Sequence, residues 1–269
     1  MNALSVEILG PAFVVGLLIL ATHVPLGSIV LSRGIIFIDI ALAQVAALGV
    51  VIGNMMFGAA GGWFVQLSAF GAAVGCALLL NWTDKRFPIV QEAIIGVLYV
   101  VAASVQIVIL SFSSSGSENL KELLVGQILW VSPMQILIVG LVYAAVIALW
   151  YFRDLQRERL LFYAAFAVVI TASVQIVGVL LVFASLIVPA LATQSAPERW
   201  RLAIAFNVGA AGYAIGLCVS ALLDISTGAA IVCSMVLVAI AYAYLTPLLV
   251  KWRGGTELGA SGTAVRQGH

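Results

Sequence analysis

Charge is scarce in this chain. Its 269 residues include 12 Lys and Arg, 11 Asp and Glu, and 2 His. Charged residues make up 9%, where a soluble domain carries about a quarter. A net charge of +1 without a basic patch argues against a nucleic-acid binder. Only His23 and His269 are present, which excludes a histidine-rich catalytic metal centre. Cys76, Cys218 and Cys233 lack C-x-x-C spacing and read as small residues facing neighbouring helices. There is no G-x-x-x-x-G-K-[ST] loop, so the chain does not bind ATP in the usual way by itself. A G-x-S-x-G elbow and an H-E-x-x-H helix are also missing, so the chain is not expected to be an enzyme. The opening "MNALSVEILG" lacks the positive region of a cleavable signal, and the first apolar run is expected to remain as a span.

What remains is apolar. Hydrophobic residues are 64% of the chain and the mean hydropathy is +1.19. Polar punctuation divides it into eight runs of membrane-crossing length. They cover about 8–30, 35–56, 63–82, 89–111, 133–151, 160–182, 202–222 and 227–250. The fold class is therefore an all-α polytopic membrane protein. A single transmembrane domain, 1–250, precedes a Gly/Ser/Thr-rich tail, 251–269, expected to be disordered and cytoplasmic. The pair Gly71 and Gly75 reads as ordinary small-residue helix packing.

Lysine and arginine orient the spans. Arg33, Lys85–Arg86, Arg153–Arg157–Arg159, Arg199–Arg201 and Lys251–Arg253 form five positive clusters. Placing them inside puts the N-terminus outside, together with residues 113–132, which carry Lys121, Glu118 and Glu122. The sixth span then ends outside, yet Arg199 must be inside. Residues 183–195 are too few for another full span. They are expected to return as a re-entrant or half-length helix, a broken element of the kind that lines a pathway.

Four stretches, in order, carry a resemblance. They are "LGSIVLSRGIIFIDIALAQVAALG" (26–49), "VQEAIIGVLYVVAASVQIVILS" (90–111), "LKELLVGQILWVSPMQI" (120–136) and "VQIVGVLLVFASLIVPALAT" (174–193). Over about residues 10–250 the chain resembles the membrane permease subunits of bacterial ABC importers for zinc, manganese and iron. The last stretch resembles the family's Val-Gly-x-Leu-Leu-Val-x-Ala-x-Leu-x-x-Pro-Ala-Ala-Thr signature. The resemblance implies a multi-pass protein of the bacterial inner membrane, with two permease copies forming the pathway. It also implies a cytoplasmic ATPase pair that hydrolyses ATP and an extracytoplasmic metal-binding protein. No resident cofactor is implied, only a transported divalent metal ion. The ATPase contact falls by resemblance on a coupling helix after Pro189, in "PALATQSAPERWR". That segment contains Pro189, Ala190, Thr193, Glu198, Arg199 and Arg201.

One departure stands out. The family's second helix carries Asp and His four apart, on one face. The matching positions here are Ile40 and Gln44, and Asp39 stands where the family has glycine. Asp39 and Gln44 are five apart, about 140° around an ideal helix. A different metal site is therefore expected, from His23, Asp39 and Gln44. If the first turn centres near Leu31, His23 and Asp39 lie at similar depth, and imidazole and carboxylate suit zinc, manganese or ferrous iron. Pro25 would open a carbonyl beside them. Opposing readings pair Asp39 with Arg33 and give His23 a structural hydrogen bond. Gln106 and Gln175 read as interhelical hydrogen-bonding residues, Glu92 as an inner-interface residue and Asp224 as a helix cap. Other functions stay open: the same fold with a chelated metal or small organic cargo, or a secondary transporter using Asp39 as a protonatable residue. An intramembrane enzyme lacks a constellation.

Overall fold

A computed structural model describes residues 6–57, 62–111, 124, 126–153 and 158–263; side chains are described for these except residues 6, 111 and 246–263. The tail 251–269, the acidic pair Glu118 and Glu122, and Arg157 lie outside the described side chains. Among the described residues, eight helices are long and apolar enough to cross a membrane. They are α1 (Val6–Arg33), α2 (Ile38–Phe57), α3 (Gly62–Arg86), α4 (Gln91–Ser111), α5 (Pro133–Phe152), α6 (Arg159–Ala192), α7 (Glu198–Leu223) and α8 (Thr227–Thr263).

Their ends follow from local chemistry. The first helix stops at Gly34, whose φ of +69° suits glycine. Gly34 N–H donates to Leu31 O at 3.3 Å and Ile35 N–H to Val30 O at 3.3 Å, the paired bonds of a Schellman end. The turn into α2 is thus residues 34–37, several residues beyond the expected centre at Leu31. Ser132 and Gln135 form a reciprocal capping box ahead of α5, with Pro133 in its first turn. Asp224 caps α7 in the left-handed conformation at φ 52°, the cap expected for it. Phe37 N–H donates to Glu92 Oε1 at 3.3 Å, so Glu92 ties α4 to the α1–α2 turn.

The sixth helix is the hub. It packs against α1, α2, α3, α5, α7 and α8, with α2, α3 and α4 forming one lobe and α1, α7 and α8 another. Glycines set these approaches. A Cβ on Gly49 would meet the backbone of Ser68 and Ala69, and one on Gly216 would lie 2.3 Å from Ile231 Cα. Gly71 and Gly75, by contrast, face open space, which corrects the packing expected of them. Cys76 is buried but Cys218 and Cys233 are exposed on the bundle surface, a second correction.

The arginines Arg33, Arg86, Arg159 and Arg199 mark one end of the bundle, here called the basic end. Gly16 meets Tyr213 and Gly209 meets Leu20, so α1 and α7 run antiparallel and α7 begins at the basic end with Glu198. At the start of α6, the Arg33 guanidinium lies 4.2 Å from the Phe162 ring. Near the end of α6, Leu186 O and Ala190 Cβ abut Gly27. Both ends of α6 therefore lie at the basic end. A straight helix of 34 residues would part them by about 51 Å. The chain turns at Gly178, where φ is 77° and ψ 164°, and the second half runs back. Gly126, at φ +72°, sits so close to α6 that a Cβ on it would strike the Val177–Gly178 peptide. Gln127 N–H donates to Ile176 O at 3.0 Å, a carbonyl whose regular helical partner is lost at the turn. The returning half is the expected half-length element, but its break comes at Gly178 rather than near 183.

Candidate translocation site

Three sequence candidates are buried and polar inside an apolar bundle, and such groups mark a pathway or a pair. Asp39 lies in the first turn of α2 with 0% exposure. The N–H groups of Asp39 and Ile40 face its carboxyl group, and neither carboxyl oxygen accepts a hydrogen bond of good geometry. The helix N-terminus offers a favourable field for negative charge there. Arg33 stacks on Phe162 instead of bonding Asp39, so the proposed Asp39–Arg33 pair is not formed.

His23 sits on α1, also at 0% exposure. Its Nδ1 lies 2.9 Å from Ile19 O. A carbonyl only accepts, so Nδ1 carries the proton and Nε2 keeps a lone pair. That Nε2 has no partner. Gln44 Nε2 donates to Gln106 Oε1 at 2.5 Å, linking α2 to α4 in the interhelical role expected for Gln106.

The expected union of His23, Asp39 and Gln44 is not what the packing builds. His23 is ten residues from the basic end of α1, about 15 Å. Asp39 is one residue into α2. The displaced turn separates them in depth. Their helices also face different neighbours: α1 packs on α5, α6 and α7, whereas α2 packs on α3, α4 and α6. Among the described residues no three His, Cys, Asp or Glu gather as a metal-holding group.

The packing instead sets His23 beside a tyrosine that belongs to a chain of buried hydroxyls. Its ring lies edge-on to Tyr143 of α5, with centroids 6.4 Å apart. Tyr143 Oη bonds Ser173 Oγ at 2.6 Å, and Ser173 Oγ donates to Val169 O at 2.6 Å. Across the turn of α6, Ser185 Oγ shares a 2.9 Å bond with Tyr213 Oη. Sequence reasoning passed over these residues. Their signal was weak: Tyr143 in "LVYAAV", Ser173 in "TAS", Ser185 in "FAS" and Tyr213 in "AGY" are scattered through apolar runs.

At the basic end, the six coupling candidates divide. Pro189, Ala190 and Thr193 are buried, and Thr193 Oγ1 donates to Pro189 O at 2.9 Å. Glu198 and Arg199 are exposed, with Leu191 and Trp200 more than half exposed beside them. The Arg199 guanidinium lies 4.9 Å from the Trp200 ring. Arg201 is half-buried and leans on Ala196 O. No separate coupling helix follows Pro189: α6 continues to Ala192, residues 193–197 form a loop, and 198–201 are the first turn of α7. Pro197 sets that start, since its fixed φ and lacking N–H suit a helix entry.

Comparison with known proteins places this geometry. The ABC 3 transport family matches residues 5–157 and 154–245. A manganese transport system membrane protein, MntC, of Listeria monocytogenes is 26% identical over 250 residues, covering 85% of this chain and 86% of the relative. A probable iron transport system membrane protein of Haemophilus influenzae is 24% identical over 187 residues, covering 62% of this chain and 66% of the relative. Among solved structures, PsaBC from Streptococcus pneumoniae in complex with Fab superposes with a TM-score of 0.68 at 20% identity. That superposition covers 90% of this chain and 89% of the other, and it establishes the shared fold.

Proposed function

We propose that this chain, which belongs to the ABC 3 transport family, is the membrane permease of an ATP-driven importer of a divalent first-row metal. Manganese and iron are the first candidates, from the names of its relatives; zinc follows from donor chemistry alone. The observation that carries the reading is the fold-back of α6. It buries polar groups on both limbs and delivers the loop 193–197, with Gln194, Ser195 and Pro197 exposed, at the basic end. In this reading the basic end is cytoplasmic by the charge rule. A separate ATPase docks on Leu191, Glu198, Arg199 and Trp200, and the buried Pro189, Ala190 and Thr193 transmit the movement. An extracytoplasmic binding protein hands the ion to the opposite end, and a second copy completes the pathway. Asp39 and His23 meet the ion at different depths, with Gln44 braced on Gln106. The protein sits in the inner membrane of a bacterium and contributes no hydrolytic chemistry.

Total-cell metal measured by mass spectrometry tests the cargo. A strain lacking this chain, grown in metal-poor medium, is expected to lose one of manganese, iron or zinc and to regain it on complementation. Unchanged levels of all three would turn the reading to a chelated or organic cargo, which the departure at Ile40 and Gln44 then explains. Docking is tested separately. Trp200→Ala combined with Arg199→Glu removes an apolar anchor and reverses a charge at an exposed face, so it is expected to lose a co-purifying ATPase while the chain still folds. A chain that works without any ATPase and follows the proton gradient would be a secondary transporter.

A further inference from the structure

Helix α6 returns on itself, so Ser173 and Ser185 lie five and seven residues from Gly178 on opposite limbs. The two limbs present these serines at similar depth. Each holds one tyrosine hydroxyl, Tyr143 from α5 and Tyr213 from α7. Tyr213 packs its ring on Gly16, seven residues before His23 and so on the same face of α1. All four side chains are at most 1% exposed. Ser173 spends its proton on Val169 O, so Tyr143 donates to Ser173 and keeps its own oxygen lone pairs. His23 stands beside Tyr143. Its Nδ1 faces its own helix, so Nε2 on the far edge of the ring points away from α1 with an unused lone pair. An imidazole whose first nitrogen is fixed by a backbone carbonyl is oriented as a metal-binding histidine is.

We propose that His23 Nε2, Tyr143 Oη and Tyr213 Oη, positioned by Ser173 and Ser185 across the fold-back of α6, form a mid-membrane coordination step for a first-row divalent transition-metal cation. The donor set fits that class. One imidazole nitrogen with phenol oxygens favours the borderline metals from manganese to zinc over magnesium and calcium, which take all-oxygen sites. The set is also neutral. Conduction needs sites strong enough to enter and weak enough to leave. Neutral donors hold the ion loosely here, and Asp39, the one acidic residue buried among the described residues, waits nearer the basic end. The order is therefore lone pairs first, charge second. This inference rests on the transport reading above and names the part of the pathway that the family's second-helix pair does not supply in this chain.

The test is metal uptake by cells carrying the whole transporter. Tyr143→Phe removes one oxygen and its bond to Ser173, but Ser173 keeps its bond to Val169 and the ring keeps its packing, so no buried donor is orphaned. Tyr143→Phe and His23→Gln are each expected to slow uptake on the order of 10–100-fold, the usual range for weakened metal ligation, with ATPase co-purification unchanged. His23→Gln is further expected to change the competition pattern, letting manganese gain on zinc as nitrogen gives way to oxygen. Wild-type uptake in both variants, with Asp39→Ala inactive, would overturn this inference and leave the transport reading standing. Equal slowing of every metal with an unchanged competition pattern would also overturn it, because it marks a packing role. Deletion of the chain without any metal change would overturn the metal-cargo reading on which this inference rests.

Discussion

Gly126→Ala yields little folded protein, while Gly34→Ala folds nearly as well as the parent. Both glycines have positive φ, +72° and +69°. Alanine at either position therefore meets the left-handed penalty of about 1–2 kcal/mol. The surroundings differ. A Cβ at Gly34 meets nothing within 4 Å. A Cβ at Gly126 would lie 2.2 Å from Val177 C and 2.4 Å from Gly178 N, and these are backbone atoms that no rotamer change can move. Separation of the segment from α6 is the only relief. It breaks the Gln127 N–H to Ile176 O bond and leaves a carbonyl unpaired at the turn, where water is scarce. Overpacking and the lost bond add several kcal/mol more, together on the order of the whole stability of many domains. Thermal unfolding in detergent, read by size-exclusion fluorescence, gives the comparison. Equal melting temperatures for the two variants would mean that the 126–130 segment does not hold the fold-back.

The same region shows how far the sequence was readable. Spans announce themselves, because a membrane demands long apolar runs and a helix satisfies its own backbone. Positive clusters then required a return between the sixth and seventh runs, and α6 does return. The position of the break was not readable. Gly178 sits in "VQIVGVLLV" between apolar neighbours, and what packs against its bend is Gly126, more than fifty residues away. The expected pairing of His23 with Asp39 was misjudged in depth for a related reason. Its depth estimate assumed a turn near Leu31, but Gly34 ends the helix three residues later. That shift moves Asp39 into the first turn of α2 and leaves His23 deep. The tyrosine and serine hydroxyls were invisible because their grouping exists only once α6 folds back. Long-range packing fixed each of these features, and a hydrophobicity pattern records little of it.

Asp39 gives a prediction in which stability and transport move in opposite directions. Replacing Asp39 by leucine removes a fully buried carboxyl group that has no hydrogen-bond partner. Burying such a group costs free energy, and an apolar side chain of similar size recovers it. The variant is expected to be as stable as the parent or more stable by about 1–4 kcal/mol. Uptake is expected to fall at least tenfold, on the order of one lost metal ligand. Asp39→Asn keeps the shape and removes the ionisable oxygen, so it should also be slow, without the stability gain. The pairing of these effects is the informative part. A residue kept for folding loses stability when replaced; a residue kept for the cargo gains it. The measurement is a melting temperature beside an uptake rate for the same preparation and strain. A destabilised Asp39→Leu that still transports would make Asp39 a structural residue of the α1–α2 turn. It would leave the hydroxyl and imidazole cluster of α1, α5, α6 and α7 as the pathway's remaining polar step. A stable, inactive Asp39→Leu would place the charge on the route of the ion, where a partnerless carboxylate has a reason to persist.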